Sequence, residues 1–122
     1  MVRRLTRAAE DQIDSILFER ARVHGIEAAG RYSLLILTAM ASLGDDPHPP
    51  GSSGILRLPG VRAYPSRLSR TRVEPARRVR VPRHLIVHRV AADGVVEILG
   101  VVHDRMALSR AARKAVENAD GL

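Results

Sequence analysis

The 122-residue chain contains no cysteine and no tryptophan. Without cysteine it can form no disulfide, no thiolate metal site and no thiol nucleophile, so disulfide and thiol chemistry are excluded. Its only aromatic side chains are those of Phe18, Tyr32 and Tyr64, too few for a surface that binds nucleic acid mainly by base stacking. No Ser-His-Asp order, Walker loop or dinucleotide-binding glycine pattern occurs, and we expect no cofactor.

Long apolar runs are also missing. No stretch approaches the roughly 18 consecutive apolar residues that a membrane helix needs. The opening Met-Val-Arg-Arg-Leu-Thr-Arg carries charge without an apolar segment, so we expect no signal peptide. Because 45% of the residues are hydrophobic, a disordered chain is excluded. We therefore expect one domain over residues 1–122, located in the cytoplasm and not in a membrane.

Negative charge is scarce in the second half of the chain. Twenty basic residues stand against 13 acidic ones, giving +7, and every basic residue except Lys114 is arginine. Between residues 57 and 89 the single acid is Glu74, while the arginines there are Arg57, Arg62, Arg67, Arg70, Arg72, Arg77, Arg78, Arg80, Arg83 and Arg89. Such density indicates an anionic partner, either nucleic acid or an acidic protein surface. An arginine-rich composition on a solvated face would produce the same pattern.

Residues 84–106 predict a β-hairpin, because two β-branched apolar runs flank Asp93-Gly94. A two-residue type I′ loop pairs Ala92 with Val95, and the register then pairs Val90 with Glu97, His88 with Leu99, Ile86 with Val101 and His84 with His103. One face of the hairpin carries Leu85, Val87, Ile98 and Val102, and the other carries Ile86, Val90, Leu99 and Val101. A strand pair that is apolar on both faces is central in a sheet and covered on each side.

Helical spacing dominates the first 45 residues. A short strand over Val2 to Leu5 precedes a helix that Thr6 caps and Gly25 ends. A second helix from Glu27 to Leu43, ending at Gly44, places one apolar stripe on Tyr32, Leu35, Ile36, Ala39, Met40 and Leu43. These helices form an antiparallel hairpin. The chain is therefore predicted to be α+β, with the helical hairpin packed on a small, mainly antiparallel sheet.

The remaining segments are less regular. Residues 45–60 form a Pro/Gly-rich loop, residues 61–72 a loosely alternating strand, and residues 73–82 an arginine-rich connection. A short helix from Leu108 to Asn118, capped by Ser109, ends the fold, and we expect residues 117–122 to fray.

Three segments together resemble the RelE/ParE family of type II toxins, over about residues 3–110. They are the hairpin segments Pro82–Val90, Asp93–Leu99 and Val102–Met106, the upstream Leu58–Tyr64, and the opening Arg4–Ile13. Relative to the family, residues 73–82 are an insertion, His88 replaces a usual aromatic residue, and Gly100 replaces a frequent arginine. A glycine within a strand often marks a bulge or the close approach of another segment.

The resemblance implies the toxin half of a toxin–antitoxin pair, forming a hetero-oligomer with a small, acidic, ParD-like antitoxin. Because no convincing catalytic set is present, we favour the ParE branch, which inhibits DNA gyrase through protein contact without enzymatic chemistry. The alternatives are a RelE-like ribosome-dependent mRNA endonuclease and a non-toxic, degenerate binding module.

Candidate site residues follow from this choice. Catalytic candidates, if RNA is cleaved, are His103, Arg83 and Arg89, although we favour a hydrogen-bonded structural role for His103. The candidates for target binding are Arg62, Arg67, Arg70, Arg77, Arg78, Arg80, Arg83 and Arg105. The predicted register places His84, His88 and His103 on one face beside Asp104, but their spacing matches no standard zinc site, so we expect no metal.

Overall fold

The computed structural model describes residues 3–121. The elements in chain order are β1 Arg3–Leu5, α1 Arg7–His24, α2 Ile26–Asp45, β2 Ser53–Ile55, β3 Leu58–Pro65, β4 His84–Val90, β5 Val96–His103 and α3 Leu108–Asp120. Two 3₁₀ segments, Ser66–Arg72 and Pro75–Arg77, lie between β3 and β4. The predicted α+β class is confirmed. Val2, with which the first strand was predicted to begin, lies outside the described residues. No helix over residues 3–121 is long and apolar enough to cross a membrane.

The helical hairpin begins and turns where the sequence predicts. The Thr6 Oγ1 accepts a hydrogen bond from the Ala9 N–H at 3.1 Å and so caps α1. Gly25, at φ +93°, is the only residue between α1 and α2. The prediction that Gly44 ends α2 is wrong, because the helix includes Gly44 and closes when the Asp46 N–H donates to the Ser42 carbonyl at 2.9 Å.

The five strands have the order β1-β5-β4-β3-β2, with β1 parallel to β5 and the other neighbours antiparallel. Helices α1 and α2 cover one face, in a core that includes Tyr32, Leu35, Ile36, Leu43, Ile86, Ile98 and Val101. Helix α3 covers the other face, over Val61, Val87, Leu99, Val102, Ala112 and Ala115. The prediction that the β4–β5 pair is central and covered on both sides is confirmed.

The turn of that hairpin differs from the predicted two-residue type I′ loop. The Ala91 carbonyl accepts from the Gly94 N–H, and the Ala91 N–H donates to the Val95 carbonyl, each at 2.9 Å. The loop therefore consists of Ala92, Asp93 and Gly94, and among these only Gly94, at +84°, has a positive φ. Asp93 Oδ1 accepts from the Val95 N–H at 3.1 Å, which stabilises a turn that needs only one left-handed residue.

The longer loop shifts the register by one residue, and a β-bulge at Leu99 restores it. The predicted pairs Val90–Glu97 and His88–Leu99 are wrong, since Val90 pairs with Val96 and His88 with Ile98. The predicted pairs Ile86–Val101 and His84–His103 are confirmed. Because of the bulge, Ile98 and Leu99 exchange the faces predicted for them. Val90 is 43% exposed and is not part of the core.

Two predicted segments are redistributed around β3. The predicted loop over residues 45–60 includes β2 and the first residues of β3, and β2 pairs antiparallel with Leu58, Arg62 and Ala63 of β3. The predicted strand over residues 61–72 ends at Pro65, because proline offers no N–H for a continued ladder. The chain then turns into the first 3₁₀ segment, which a 2.9 Å hydrogen bond between the Tyr64 and Ser69 hydroxyls holds against the strand.

Helix α3 starts at Leu108, as predicted, and ends later than predicted. Its N-cap is Ala107 rather than Ser109, and it continues to Asp120. Asp120 lies 2.7 Å from the Arg89 guanidinium, which ties the end of α3 to β4. Gly100 leaves room for the Gln12 side chain: a Cβ there would lie only 3.0 Å from Gln12 Oε1, whereas its distance of 3.5 Å from the Ala115 Cβ of α3 would be an ordinary contact. The glycine therefore marks both a close approach and the neighbouring bulge.

Candidate functional site: a histidine pair beside a basic surface

Two histidines face each other where β4 begins and β5 ends. His84 and His103 are register partners, and their rings meet edge to face with centroids 5.3 Å apart. The ring of Tyr32, fully buried on α2, makes a second edge contact with His84 at 5.3 Å. Tyr32 Oη forms a hydrogen bond with His84 Nδ1 and accepts another from the Arg83 N–H at 3.1 Å. Helix α2 therefore fixes the orientation of the His84 imidazole.

His84 and Tyr32 are both neutral near pH 7. Burial lowers the pKa of His84 to about 4, and the neighbouring charges of His103 and Arg20 act in the same direction. Burial raises the pKa of the Tyr32 hydroxyl above its ordinary value. Because Tyr32 Oη accepts from Arg83, we assign its one hydrogen to the bond with His84 Nδ1, which places the His84 proton on Nε2.

His103 is held by the turn that follows β5. Its Nδ1 accepts a hydrogen bond from the Arg105 N–H at 3.1 Å, and Asp104 Oδ1 lies 3.2 Å from the same nitrogen. In the neutral ring Nδ1 is therefore the acceptor, whereas a protonated Nδ1 would donate to Asp104. Asp104 also lies 3.7 Å from the Arg83 guanidinium. These contacts support the structural role that the sequence favours for His103.

A cavity of about 320 Å³ lies between α1 and this histidine pair. Its lining consists of Ile16, Glu19, Arg20, Val23, His24, Arg83, His84 and His103. The Arg20 guanidinium lies 3.9 Å from the centre of the Tyr32 ring, a cation–π contact. The sequence analysis did not identify Tyr32 and Arg20 as site residues. Tyr32 fits the pattern of a buried core position, and Arg20 fits that of a solvent-exposed position on a helix.

The structure brings together two of the three candidate catalytic residues. His103 and Arg83 both border the cavity. Arg89 lies elsewhere, with its guanidinium 2.8 Å from Glu97 and 2.7 Å from Asp120. General acid–base cleavage of RNA needs a base, an acid and cations around one phosphate. The cavity is lined by three imidazoles, those of His24, His84 and His103, and by two guanidiniums, those of Arg20 and Arg83.

His88 does not join the other two histidines. It is 1% exposed, and its Nε2 lies 3.4 Å from the Ser52 hydroxyl, which accepts from Arg62 Nε at 2.9 Å. Burial lowers the pKa of His88 to about 4, with Arg62 and His48 contributing. Its Nδ1 is buried and has no hydrogen-bond partner among the described residues. Within residues 3–121, no group of three histidine, aspartate or glutamate side chains is arranged to hold a metal ion.

The eight arginines predicted to bind a target divide into two groups. In the first group the side chains bind other residues of the fold. Arg62 binds Ser52, and Arg70 binds the Val79 carbonyl. Arg78 binds the carbonyls of Val73 and Thr71, and Arg83 lies beside Asp104. The side chains of Arg67, Arg77, Arg80 and Arg105 are exposed, and in the described part of the chain they have no hydrogen bond or ion pair. The first group fixes the connection between β3 and β4, and the second presents charge to solvent.

One comparison with known proteins gives a match. A family described as the ParE toxin of type II toxin–antitoxin system, parDE, matches residues 3–108. The matched span begins in β1 and reaches the first residue of α3, so it contains the helical hairpin, the whole sheet and the histidine pair. No curated protein matches the chain.

Proposed function

This chain belongs to the ParE toxin family of type II toxin–antitoxin systems, and from that membership we propose that it inhibits DNA gyrase by direct protein contact. The family makes it a type II toxin and implies an antitoxin as its partner. We place the protein in the cytoplasm, where its target works, and we expect a small acidic antitoxin of the ParD kind to neutralise it.

One observation carries the gyrase proposal: a fixed surface on which basic residues far outnumber acidic ones. Arg67, Arg77 and Arg80 project from residues 66–80, a segment that contains a single carboxylate, Glu74. The backbone below them is held by side-chain hydrogen bonds, including Arg70 Nε to the Val79 carbonyl at 2.6 Å. A preorganised cationic surface favours association with an acidic protein patch, because little ordering entropy is lost on binding.

The protonation of His84 and the hydrogen bonds of the histidine pair favour binding over chemistry. With a pKa of about 4, only about 0.1% of His84 is protonated at pH 7, so it is a poor general acid. Its Nδ1 is already occupied by Tyr32, and the Nδ1 of His103 by Arg105. Arg83 shares its charge with Asp104. The Nδ1 atoms of both histidines and the charge of Arg83 are therefore already engaged within the fold.

The second candidate is the ribosome-dependent mRNA endonuclease. The observation that favours it is the cavity in which His84 and His103 lie beside Arg20 and Arg83. In that case neutral His84 or His103 would act as the base, and the arginines would hold the phosphate.

The test measures DNA supercoiling by purified gyrase in the presence of the chain. A parallel assay measures whether mRNA that is being translated on ribosomes stays intact. We expect the chain to inhibit supercoiling and leave the mRNA intact. Arg77→Glu/Arg80→Glu should weaken inhibition, while the control Arg110→Glu/Arg113→Glu, with the same charge change on α3, should not. Loss of inhibition only in the control would place the docking surface on α3. Cut mRNA with unaffected gyrase would support the endonuclease, and no effect in either assay would support a non-toxic module.

A further inference from the structure

A basic cavity of about 550 Å³ lies where α1 ends and α2 begins, against the connection that leads from β3 to β4. We refer to it as the arginine cavity, because its polar lining consists of His24 and of four arginines, Arg20, Arg31, Arg78 and Arg80. Among the described residues, no aspartate or glutamate belongs to this lining. Four guanidiniums therefore share one concave space without a carboxylate to balance them.

The fold orients two of these guanidiniums. Arg78 Nε donates to the Val73 carbonyl at 2.8 Å, and Arg78 Nη2 donates to the Thr71 carbonyl at 3.1 Å, which leaves Nη1 available. The Arg20 guanidinium lies 3.9 Å from the centre of the buried Tyr32 ring. None of these partners is negatively charged, so both arginines are held in place while their charges stay uncompensated. An anion would meet donors that are already ordered, and little side-chain entropy would be lost on binding.

The other two guanidiniums, those of Arg31 and Arg80, have no protein partner. Neither side chain forms a hydrogen bond or ion pair with any residue from 3 to 121. Arg80 is exposed, but Arg31 is partly buried on α2. Partial removal of a charge from water costs free energy unless an opposite charge compensates it, and arginines are seldom buried without a partner. The environment of Arg31 therefore favours a bound anion.

The amount of charge favours an anion with consecutive phosphate groups. One phosphate group carries roughly −1.5 to −2 charges near pH 7, so a single phosphate would leave part of the charge of four guanidiniums uncompensated. A di- or triphosphate chain carries more charge, and it offers its oxygens in pairs to planar guanidiniums, which bind phosphate in a bidentate manner. The imidazole of His24 adds a further N–H donor to the lining.

A compact ligand fits the arginine cavity better than a nucleic-acid strand. The lining contains no aromatic ring on which a base could stack. The adjoining histidine cavity, with which it shares Arg20 and His24, is lined by Glu19. Glu19 is ionised, because its hydrogen bond with Arg22 lowers the pKa of the carboxyl. A strand that continued in this direction would bring its phosphates towards a like charge.

We propose that the arginine cavity is a binding site for a di- or triphosphate group, either as the inorganic anion or as part of a nucleotide whose base stays in solvent. This ligand site is separate from the proposed contact with gyrase and does not depend on it.

The experiment is titration calorimetry of the full chain at physiological ionic strength. Inorganic triphosphate should bind at one site, and AMP should bind roughly tenfold more weakly or less, because it carries a single phosphate. ATP and CTP should differ by less than about threefold, because no side chain stacks on the base. ATP and CTP binding without inorganic triphosphate binding would overturn the proposal, since it would assign recognition to the nucleoside.

Variants test the arginines. Arg31→Gln/Arg80→Gln should weaken triphosphate binding by about tenfold or more, because charge-assisted hydrogen bonds are lost. The control Arg110→Gln/Arg113→Gln removes the same charge from exposed positions on α3 and should bind like the wild-type chain. Equal weakening in the two variants would show that only the net charge of the chain attracts the anion, and would overturn the proposal.

A second pair of variants tests the position of the ligand. Ala28 lines the arginine cavity in the first turn of α2, where glutamate and glutamine are both compatible with the helix. Ala28→Glu brings a carboxylate into the cavity and should bind triphosphate about tenfold more weakly than the neutral Ala28→Gln, which has nearly the same size. Equal affinities of these two variants would contradict binding in this cavity. The melting temperature without ligand shows whether each variant is folded.

Two further ligands test the chemistry. Citrate, which is also a multiply charged anion, should bind more weakly than triphosphate, and equal affinity would overturn the assignment to phosphate. A 12-nucleotide DNA that binds more tightly than ATP and loses this affinity in Arg31→Gln/Arg80→Gln would also overturn the proposal, by assigning the cavity to nucleic acid. None of these measurements involves gyrase, so the proposed function and this ligand site can fail independently.

Discussion

Acidification should destabilise the protein through His88, and the size of the effect follows from its burial. His88 is 1% exposed and faces Ser52, Arg62 and His48. Desolvation is the main reason that its pKa falls from 6.5 to about 4 on folding. The unfolded chain therefore binds the His88 proton more tightly than the folded chain does. Above pH 6.5 His88 is neutral in both states, and the free energy of unfolding has its full value. This free energy decreases progressively as the pH falls from 6.5 towards 4.

Linkage gives the magnitude. Between pH 7 and pH 5, a histidine with these two pKa values lowers the free energy of unfolding by about 2 kcal/mol. The assay is urea unfolding of the wild-type chain and His88→Phe at both pH values. His84, whose pKa is also about 4, titrates in both proteins, so its contribution cancels in the comparison. The wild-type chain should lose about 2 kcal/mol more than the variant.

The same variant gives an internal check at pH 7. Phenylalanine removes the buried Nδ1, which has no hydrogen-bond partner within residues 3–121, so His88→Phe should be at least as stable as the wild-type chain there. Equal losses of stability in the two proteins between pH 7 and pH 5 would refute the reasoning, because His88 would then titrate as an exposed histidine does.

Three further changes probe other contacts. Tyr32→Phe keeps the ring but leaves the Arg83 N–H and His84 Nδ1 without their partner, so urea unfolding should show a loss of about 1–3 kcal/mol; an unchanged midpoint would contradict the hydrogen bonds. Gly100→Val should cost about 1–3 kcal/mol in the same assay by crowding Gln12 and Ala115, and no loss would contradict the close packing. Asp120→Ala should lower the free energy of unfolding by at most about 1 kcal/mol, because its ion pair with Arg89 is exposed. It should nevertheless speed amide exchange at the end of α3. Unchanged exchange would show that the ion pair does not hold the helix.

The helical hairpin and the doubly covered β4–β5 pair could be predicted because their signals are local. The stripe from Tyr32 to Leu43 is buried as its helical spacing requires, and Thr6 and Gly25 bound α1 by their own chemistry. The hairpin was predicted to be covered on both faces because both of its faces are apolar, and it is. In each case the residues that set the structure are neighbours in sequence.

The register could not be predicted in full, because two short-range alternatives compete at Asp93-Gly94. The pair is compatible with a two-residue loop, but the Asp93 carboxylate instead stabilises a three-residue loop through the Val95 N–H. The resulting shift of one residue reverses Ile98 and Leu99, and only the bulge returns His84 to His103. Because both faces of the hairpin are apolar, the alternation of apolar and polar residues does not distinguish between these registers.

The candidate site was only partly predictable for a different reason. His84 and His103 are register partners, so strand pairing alone brings them together. Tyr32 and Arg20 reach them from the helices across the core, and no spacing along the chain encodes that contact. The sequence also could not show which arginine side chains stay exposed. Arg70 and Arg78 bind backbone carbonyls in and beside the 3₁₀ segments, and those contacts depend on the fold.

The most direct test of the central claim, that this toxin acts by binding and not by cleaving RNA, is the activity of His103→Ala in the supercoiling assay. Its melting temperature should fall, because the Arg105 N–H loses its acceptor, but the folded fraction should inhibit gyrase as the wild-type chain does, and mRNA should stay intact with both. The contrary result is a variant with an unchanged melting temperature and no inhibitory activity, together with mRNA that only the wild-type chain cuts.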